Sequence, residues 1–198
     1  MKRVFPILLI FLGLIPSCCP EVVPFYVPGS LESDVFLNKV LYADIEDAEI
    51  TSADGLELWL SFEDLEYIAE SSNYFALQST CYATQPCPED GHRGLKSPVS
   101  SVKITSTAEF QSIEAGEDIS EHFHVLEFVE RDDDNNPVYN QESISTQLDF
   151  FNYLTYSESY VEFHFSELPG NTLEHTFTVE LSFEDGSTMS SSSVPVQF

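Results

Sequence analysis

Three segments of the chain alternate between apolar and polar residues with a period of two. Residues 56–62 read Leu-Glu-Leu-Trp-Leu-Ser-Phe, and residues 160–166 and 176–183 follow the same alternation. A period of two is typical of a β-strand that packs one face on a core and presents the other face to water. The pattern therefore predicts three half-buried strands.

A turn signal at residues 184–187 predicts that residues 187–196 return as a serine-rich edge strand. Eight or nine short strands, separated by clusters of Asp, Gly, Asn and Pro, predict an all-β fold, an antiparallel β-sandwich of the immunoglobulin-like kind. At most one or two short helical turns are expected, within residues 116–123 and 63–70, with Asp118 capping the first. Less regular apolar segments predict further strands at residues 36–43, 73–82, 99–106, 124–130 and 145–153.

The N-terminus follows a different pattern. Lys2 and Arg3 precede an apolar run over residues 4–15, which ends at Pro16-Ser17-Cys18. A transmembrane helix needs about 20 apolar residues, and this run is shorter. Its layout is that of a secretory signal. Residues 1–17 are therefore interpreted as a lipoprotein signal peptide, with Cys18 as the lipidated residue. An ordinary signal peptide cut after Ser17 is the alternative.

Prolines divide the segment that follows the signal. Pro20, Pro24 and Pro28 interrupt any periodic pattern in residues 18–34, which we interpret as a proline-rich tether. Some of its apolar residues are compatible with an edge strand. Residues 35–198 are interpreted as one β-sandwich domain, because three N-terminal strands alone would bury too little surface to fold independently.

The charge of the chain limits its partners. It carries 34 Asp and Glu residues against 7 Lys and Arg, a net charge of −27 at pH 7. Such a charge repels phosphate backbones and anionic headgroups, so nucleic acid is excluded and contact with a membrane is expected through the lipid anchor. The acidic residues are scattered along strands and turns, which favours a solvated acidic surface over a dedicated site for divalent cations or for a basic partner.

Cys81 and Cys87 enclose a short segment of the chain. In an oxidising compartment they are expected to form a disulfide, which contributes roughly 2–2.5 kcal/mol in the chain-entropy model. A metal site is the alternative, but the spacing is not that of a CxxC motif and a second pair is missing. Cys19 is assigned no chemistry.

An acidic run between two predicted strands resembles the first half of a calcium loop. Asp132, Asp134 and Asn136 offer oxygen ligands at alternate positions, as a hard cation requires. The glycine of an EF-hand is replaced by Pro137, and the twelfth position is Ser143 rather than glutamate. The run is therefore a candidate calcium site, and a hairpin turn between strands 124–130 and 138–148 is the alternative that needs no ion.

Histidines offer a second candidate metal site. His122 and His124 lie on one side of an extended segment and have the spacing to donate two nitrogens to zinc, which takes three protein ligands in a catalytic site. Their alternative roles are structural: His164 lies on the polar face of its strand, and His175 lies at the end of a core row. Candidates for the third ligand are His92, His164 and His175.

Catalytic motifs are missing from the sequence. There is no GxSxG, no GxGxxG and no P-loop, so the chain is expected not to be an enzyme and to use no cofactor. Trp59 lies opposite the apolar face of its strand and is the candidate ligand-contacting residue, within an aromatic platform for a sugar or a protein.

Four segments carry a resemblance to a known group of proteins. With them the chain resembles a family of uncharacterised lipoproteins from Bacteroidota, a domain of unknown function. The resemblance implies an anchored, β-rich extracytoplasmic domain, and it supplies no activity or site residue. The segments are residues 17–20 (SCCP), 81–106 (beginning CYATQPC), 115–123 (AGEDISEHF) and 175–196 (HTFTVELSFEDGSTMSSSSVPV).

The same resemblance bears on localisation. Surface-exported lipoproteins of this phylum often carry an acidic or Lys-acidic run just after the lipidated cysteine, and here the corresponding residues offer only Glu21. The expected location is the cell envelope, lipid-anchored to the outer membrane, with the periplasmic side favoured over the cell surface.

The main functional hypothesis is a membrane-anchored, non-enzymatic module that binds or scaffolds an envelope protein or a glycan. A carbohydrate- or calcium-binding module is the alternative, and it depends on Trp59 and on residues 132–136. A secreted hydrolase without a recognisable motif is the second alternative, and only the compartment supports it.

Overall fold

The structure, a computed structural model, describes residues 25–45, 50–53, 55–68, 93–131, 137–153 and 160–198. These residues form thirteen strands and four 3₁₀ turns, Tyr42–Asp44, Ser120–His122, Ile144–Thr146 and Leu148–Tyr153. The strands are β1 (Phe25–Val27), β2 (Ser30–Leu37), β3 (Val40–Leu41), β4 (Leu56–Glu63), β5 (Glu66–Ile68), β6 (Val99–Ser106), β7 (Phe123–Arg131), β8 (Pro137–Ser143), β9 (Tyr160–Phe165), β10 (Glu174–His175), β11 (Phe177–Phe183), β12 (Thr188–Ser192) and β13 (Val196–Gln197).

Two antiparallel sheets form the sandwich. The larger has six strands in the order β3-β2-β4-β9-β7-β8, and the smaller has three in the order β12-β11-β6. Two short ribbons, β1 with β5 and β10 with β13, complete the described strands. The predicted all-β antiparallel sandwich is confirmed. Eight strands have five residues or more, while the four 3₁₀ turns exceed the one or two that were expected.

The core lies between the two sheets and is built by the period-two pattern. Leu58 and Leu60 of β4, Phe163 of β9, and Val179 and Leu181 of β11 are all fully buried. Burial of each such side chain contributes about 1.5–3 kcal/mol. The alternation in these three strands therefore sets which faces of the two sheets meet.

A partly buried hydroxyl pair joins the sheets at one edge. Ser33 of β2 faces the core and is 6% exposed, and its Oγ donates a hydrogen bond to the Ser191 Oγ of β12 over 3.0 Å. This bond satisfies a polar group that would otherwise be costly to bury.

Most predicted strands occur where the sequence placed them. The strand predicted at 99–106 has the bounds of β6, and β12 is an edge strand that pairs with β11 as the turn signal required. The pairing of β7 with β8 confirms the predicted hairpin, although β8 ends at Ser143. The predicted helical turn forms at Ser120–His122, and the Asp118 carboxylate accepts a hydrogen bond from the Ser120 N–H.

Residues 36–43 do not form one strand, contrary to the prediction. β2 ends at Leu37, and Asn38 and Lys39 form a two-residue turn into β3. Both turn residues have positive φ, 53° and 66°. Hairpin turns of this kind usually contain glycine, and the sequence has none here, so the usual turn signal was missing.

Two further predictions are wrong. Residues 145–153 form 3₁₀ turns instead of a strand, since Leu148 and Phe151 are three residues apart and pack on one side of a 3₁₀ turn. Within residues 63–70, β5 forms instead of a helical turn, because Tyr67 pairs with Tyr26 of the distant β1. The strand predicted at 73–82 lies outside the described residues.

Part of the predicted tether belongs to the sandwich. β1 and the first half of β2 fall within residues 18–34, and β2 pairs with β4 along its whole length while Leu31 and Val35 point into the core. Residues 1–24, with the predicted lipidation site Cys18, lie outside the described residues. In the part of the chain that is described, no helix has the length and apolar character to cross a membrane.

His175 is a core residue, in agreement with its structural interpretation. It is 0% exposed, its Nδ1 lies 2.7 Å from the Ser106 Oγ, and its Nε2 lies 3.0 Å from the Asn171 Oδ1. A neutral ring with its proton on Nε2 satisfies both contacts, since the Ser106 hydroxyl then donates and the Asn171 oxygen accepts. Burial lowers the pKa of His175 below its usual value.

This buried histidine predicts acid sensitivity. Because its pKa is lower in the folded than in the unfolded chain, the unfolded chain takes up a proton first as the pH falls below about 6.5. The free energy of unfolding is therefore expected to decrease between pH 7 and pH 5. The His175→Gln variant should be less stable by about 1–3 kcal/mol at pH 7 and should show a shallower pH dependence in urea titrations. An equal pH dependence in both proteins would contradict this role.

Candidate functional site

The outer face of the six-stranded sheet carries the polar half of the alternation. Strand pairing places Phe36 of β2, Glu57 of β4, His164 of β9 and His124 of β7 side by side in one row across the sheet. In the next row, Trp59 of β4 lies between its paired residue on β2 and Glu162, its paired residue on β9. Residues far apart in sequence are therefore brought together on one face of the sheet.

Lys39 links two carboxylates of this face. Its Nζ lies 2.9 Å from the Glu57 Oε1 and 2.7 Å from the Glu162 Oε2. The side chain of Glu57 is only 5% exposed, while those of Glu162 and Lys39 are 28% and 55% exposed. Burial disfavours the charged form of Lys39, but the hydrogen bonds to Glu162 and Glu57 raise the pKa of its ammonium above the usual value. The ammonium thus compensates a nearly buried carboxylate.

Lys39 reaches this position from a turn in which its own backbone conformation is unfavourable. Its φ of 66° lies in the left-handed region, which non-glycine residues adopt at a cost of roughly 1–2 kcal/mol. The neighbouring Asn38 N–H donates to the Gly55 carbonyl over 2.7 Å, which ties the turn to the start of β4. Gly55 itself has φ +74°, and a Cβ there would lie 2.3 Å from the Asn38 Oδ1. The turn is therefore held close against the sheet.

Trp59 is the centre of an aromatic stack on the same face. Its ring centroid lies 3.9 Å from that of Phe36 and 3.8 Å from that of Tyr160, with both pairs nearly parallel. Since these partners come from the strands on either side, they cover the two faces of the indole. Its Nε1–H donates to the Glu57 Oε2 over 2.7 Å. A ligand would reach Trp59 along its edge, and the aromatic platform predicted from the sequence is at this place a closed stack of three rings.

Two histidines complete the row. His164 Nδ1 lies 3.7 Å from the Glu57 Oε1, and its Nε2 lies 3.5 Å from the Glu162 Oε2. Burial lowers the pKa of His164, against the pull of both carboxylates. Burial also lowers the pKa of His124, whose ring stacks on His164 at 5.6 Å. Both rings are therefore mostly neutral at pH 7, with nitrogen lone pairs available to a ligand.

The other predicted metal ligands are separated or lie outside the described residues. His122 packs against Phe110 and its Nδ1 lies 2.6 Å from the Glu167 Oε1, whereas His124 contacts Ser166 and His164. The two histidines that the sequence paired thus have different partners. The calcium candidates Asp132, Asp134 and Asn136, the candidate disulfide Cys81 and Cys87, and His92 lie outside the described residues.

The cluster of Lys39, Glu57 and Glu162 was missed by sequence reasoning. The alternation placed Glu57 and Trp59 together on the outer face, and this was the sequence feature that pointed to the cluster. The approach of Lys39 depends on a turn without glycine, and the proximity of Glu162 depends on the pairing of β4 with β9. Neither can be read from the spacing of the residues.

A pocket of about 280 Å³ lies elsewhere in the sandwich, and its lining includes Tyr26, Leu95, Phe183 and Asp185. Asp185 is its charged member, and this carboxylate already accepts hydrogen bonds from the Ser187 N–H and hydroxyl. The pocket therefore gathers fewer charged groups than the outer face, which combines carboxylates, imidazoles, an ammonium and an aromatic stack.

The identification of the site depends on this geometry. No family model, no curated protein and no solved structure matches the chain.

Three potential ligand atoms, one each from Glu57, Glu162 and His164, lie within 4.8 Å of one another. Chemically, the arrangement is suited to holding a positive charge.

Replacement of Lys39 tests the electrostatic role of this residue. Lys39→Ala leaves the nearly buried Glu57 without its ammonium, and since Lys39 is half exposed we expect a loss of about 1–2 kcal/mol rather than that of a fully buried pair. Lys39→Gly also removes the ammonium but relieves the positive φ, so it should be about 1 kcal/mol more stable than the alanine variant. Urea denaturation measures both values. Equal stability of Lys39→Ala and wild type would contradict the role.

Proposed function

We propose that the protein is a lipid-anchored module of the cell envelope, acylated at Cys18, that binds another envelope protein through the outer face of its six-stranded sheet. The observation that carries the binding face is the exposure of large apolar side chains on it: Tyr160 is 39% exposed, Leu126 is 36% and Tyr139 is 49%. Tyrosine and other aromatic residues are enriched in protein interfaces.

The strand register supports the assignment of these side chains to one face. His124 lies on the outer face, so Leu126, two residues further along β7, lies on the same face. Ser143 pairs with His124, which puts the alternate residue Tyr139 of β8 on that face as well. The exposed side chains therefore span the sheet from β9 to β8.

A protein surface fits this face better than a sugar. Sugars stack on the open face of an aromatic ring, and both faces of the Trp59 indole are covered by Phe36 and Tyr160. A sheet face with exposed tyrosine and leucine side chains beside charged groups is instead typical of a protein contact.

Site-specific photo-crosslinking tests the binding face. A benzoylphenylalanine residue at position 160 in the full-length lipoprotein should crosslink a discrete partner in intact envelopes. The same residue at position 180, an exposed site on β11 of the other sheet, is the matched control and should not. A Leu126→Glu substitution in the same chain should abolish the product, because it places a charge in the contact. The same products from both positions, or from neither, would contradict the proposal.

The anchor has its own test. Cys18→Ala removes the thiol that would carry the acyl chains, and each buried methylene contributes about 0.8 kcal/mol to membrane binding. The variant is therefore expected to move from the membrane fraction to the soluble extracytoplasmic fraction, measured by fractionation and immunoblotting. Cys19→Ala is the control and should remain with the membrane. If Cys18→Ala sediments like wild type, the lipidation assignment fails.

A further inference from the structure

We infer that Glu57, Glu162 and His164 form a binding site for a divalent transition-metal ion of the zinc class, and that the Lys39 ammonium holds this position in exchange with the metal. The proposal concerns the sandwich alone and does not depend on the anchor or on a protein partner.

The candidate ligand atoms lie at separations close to those in a zinc site. One ligand atom from each of the three residues lies within 4.8 Å of the others. The His164 nitrogens lie 3.7 Å from the Glu57 Oε1 and 3.5 Å from the Glu162 Oε2. Ligand atoms of a tetrahedral zinc ion with bonds of 2.0–2.2 Å are about 3.3–3.6 Å apart. The first distance is to Nδ1 and the second to Nε2, so one imidazole nitrogen has to turn towards both oxygens to close the site.

The position of Lys39 shows that this point of the sheet accommodates a cation. A positive charge already lies where the two carboxylates converge, with Nζ 2.9 Å and 2.7 Å from their oxygens. Lys39 belongs to a two-residue turn outside the strands, and its side chain is 55% exposed. It can therefore move into solvent without disturbing either sheet. The metal would replace one cation with another, and the nearly buried Glu57 would stay compensated.

The ligands are held by a surrounding layer of contacts. Glu57 uses its Oε2 to accept the Trp59 indole hydrogen and leaves Oε1 directed at the cation. Glu57 and His164 are direct partners across β4 and β9, so the sheet fixes their separation. Contacts that orient the ligands in this way are a general property of metal sites and affect affinity strongly.

The donor set indicates the class of metal. One imidazole nitrogen with two carboxylate oxygens suits zinc and similar ions, whereas calcium takes six to eight oxygen ligands. Lys39 and Glu162 are both partly exposed, so a fourth position is open to solvent or to a group from a partner. The chemistry favours a zinc-class ion over calcium.

Trp59 provides a local signal for the test, because it is the single tryptophan of the chain and donates directly to Glu57. Zn²⁺ alone is titrated into the tag-free, full-length protein in detergent, and the tryptophan emission is recorded. Displacement of Lys39, whose Nζ lies 5.3 Å from the indole centre, should change the emission in a saturable way.

Variants at four positions separate the possible outcomes. His164→Ala and Glu162→Gln each remove a ligand and should weaken binding about 100-fold or more. Lys39→Met removes the competing ammonium and should tighten binding about tenfold, and Lys39→Gln serves if the methionine variant is unstable. His122→Ala is the matched control, since this histidine contacts Glu167 instead of the site, and its affinity should equal that of wild type.

The proposal is overturned if zinc leaves the emission of the wild-type protein unchanged, or if His164→Ala binds as tightly as wild type. Binding that is unaffected by Lys39→Met would overturn the exchange between the ammonium and the metal. Crosslinking at position 160 is a separate readout, so failure of the proposed binding face leaves the metal result intact, and the reverse also holds.

Discussion

The register of β4 between β2 and β9 determines both the core and the outer face of the large sheet. Its inward residues, including Leu58 and Leu60, are fully buried against the second sheet, while Glu57 and Trp59 point the other way. A shift by one residue would turn the carboxylate into the core and the leucines onto the outer face, which hydrophobic burial strongly opposes. The core therefore fixes the position of the charged cluster, although the cluster itself contributes little to the core.

Once β4 is fixed, the outer face presents an electrostatic problem that Lys39 resolves. Glu57 is nearly buried, so it needs a partner, and the sheet places Glu162 close to the same point. The ammonium comes from a turn whose backbone is strained at a non-glycine residue. Strain of this kind persists where surrounding contacts compensate for it, and it is frequent at functional sites. The same arrangement that stabilises the carboxylates also makes them a site where one cation can replace another.

The sequence predicted the parts of this structure that depend on local periodicity. The strands with strict alternation follow from which residues are apolar at every second position. The β7–β8 hairpin and the sandwich class follow from short apolar segments separated by polar turn residues. The prediction failed at β5 because this strand depends on pairing with the distant β1. It failed at the Asn38-Lys39 turn because the turn lacks the glycine that would have indicated it. Trp59 was singled out for its position on the polar face, but its covered rings and its bond to Glu57 depend on the neighbouring strands.

The charged cluster also connects the two proposals. Tyr160, which stacks on Trp59, belongs to the exposed face assigned to a protein partner, and Glu57, which accepts the indole hydrogen, belongs to the metal site. The most direct measurement is anomalous diffraction at the zinc absorption edge from crystals of the protein grown with zinc. The account predicts a single strong peak among Glu57, Glu162 and His164, with the Lys39 side chain turned into solvent. Density that shows Lys39 still bridging the two carboxylates, with no anomalous peak between them, would contradict it.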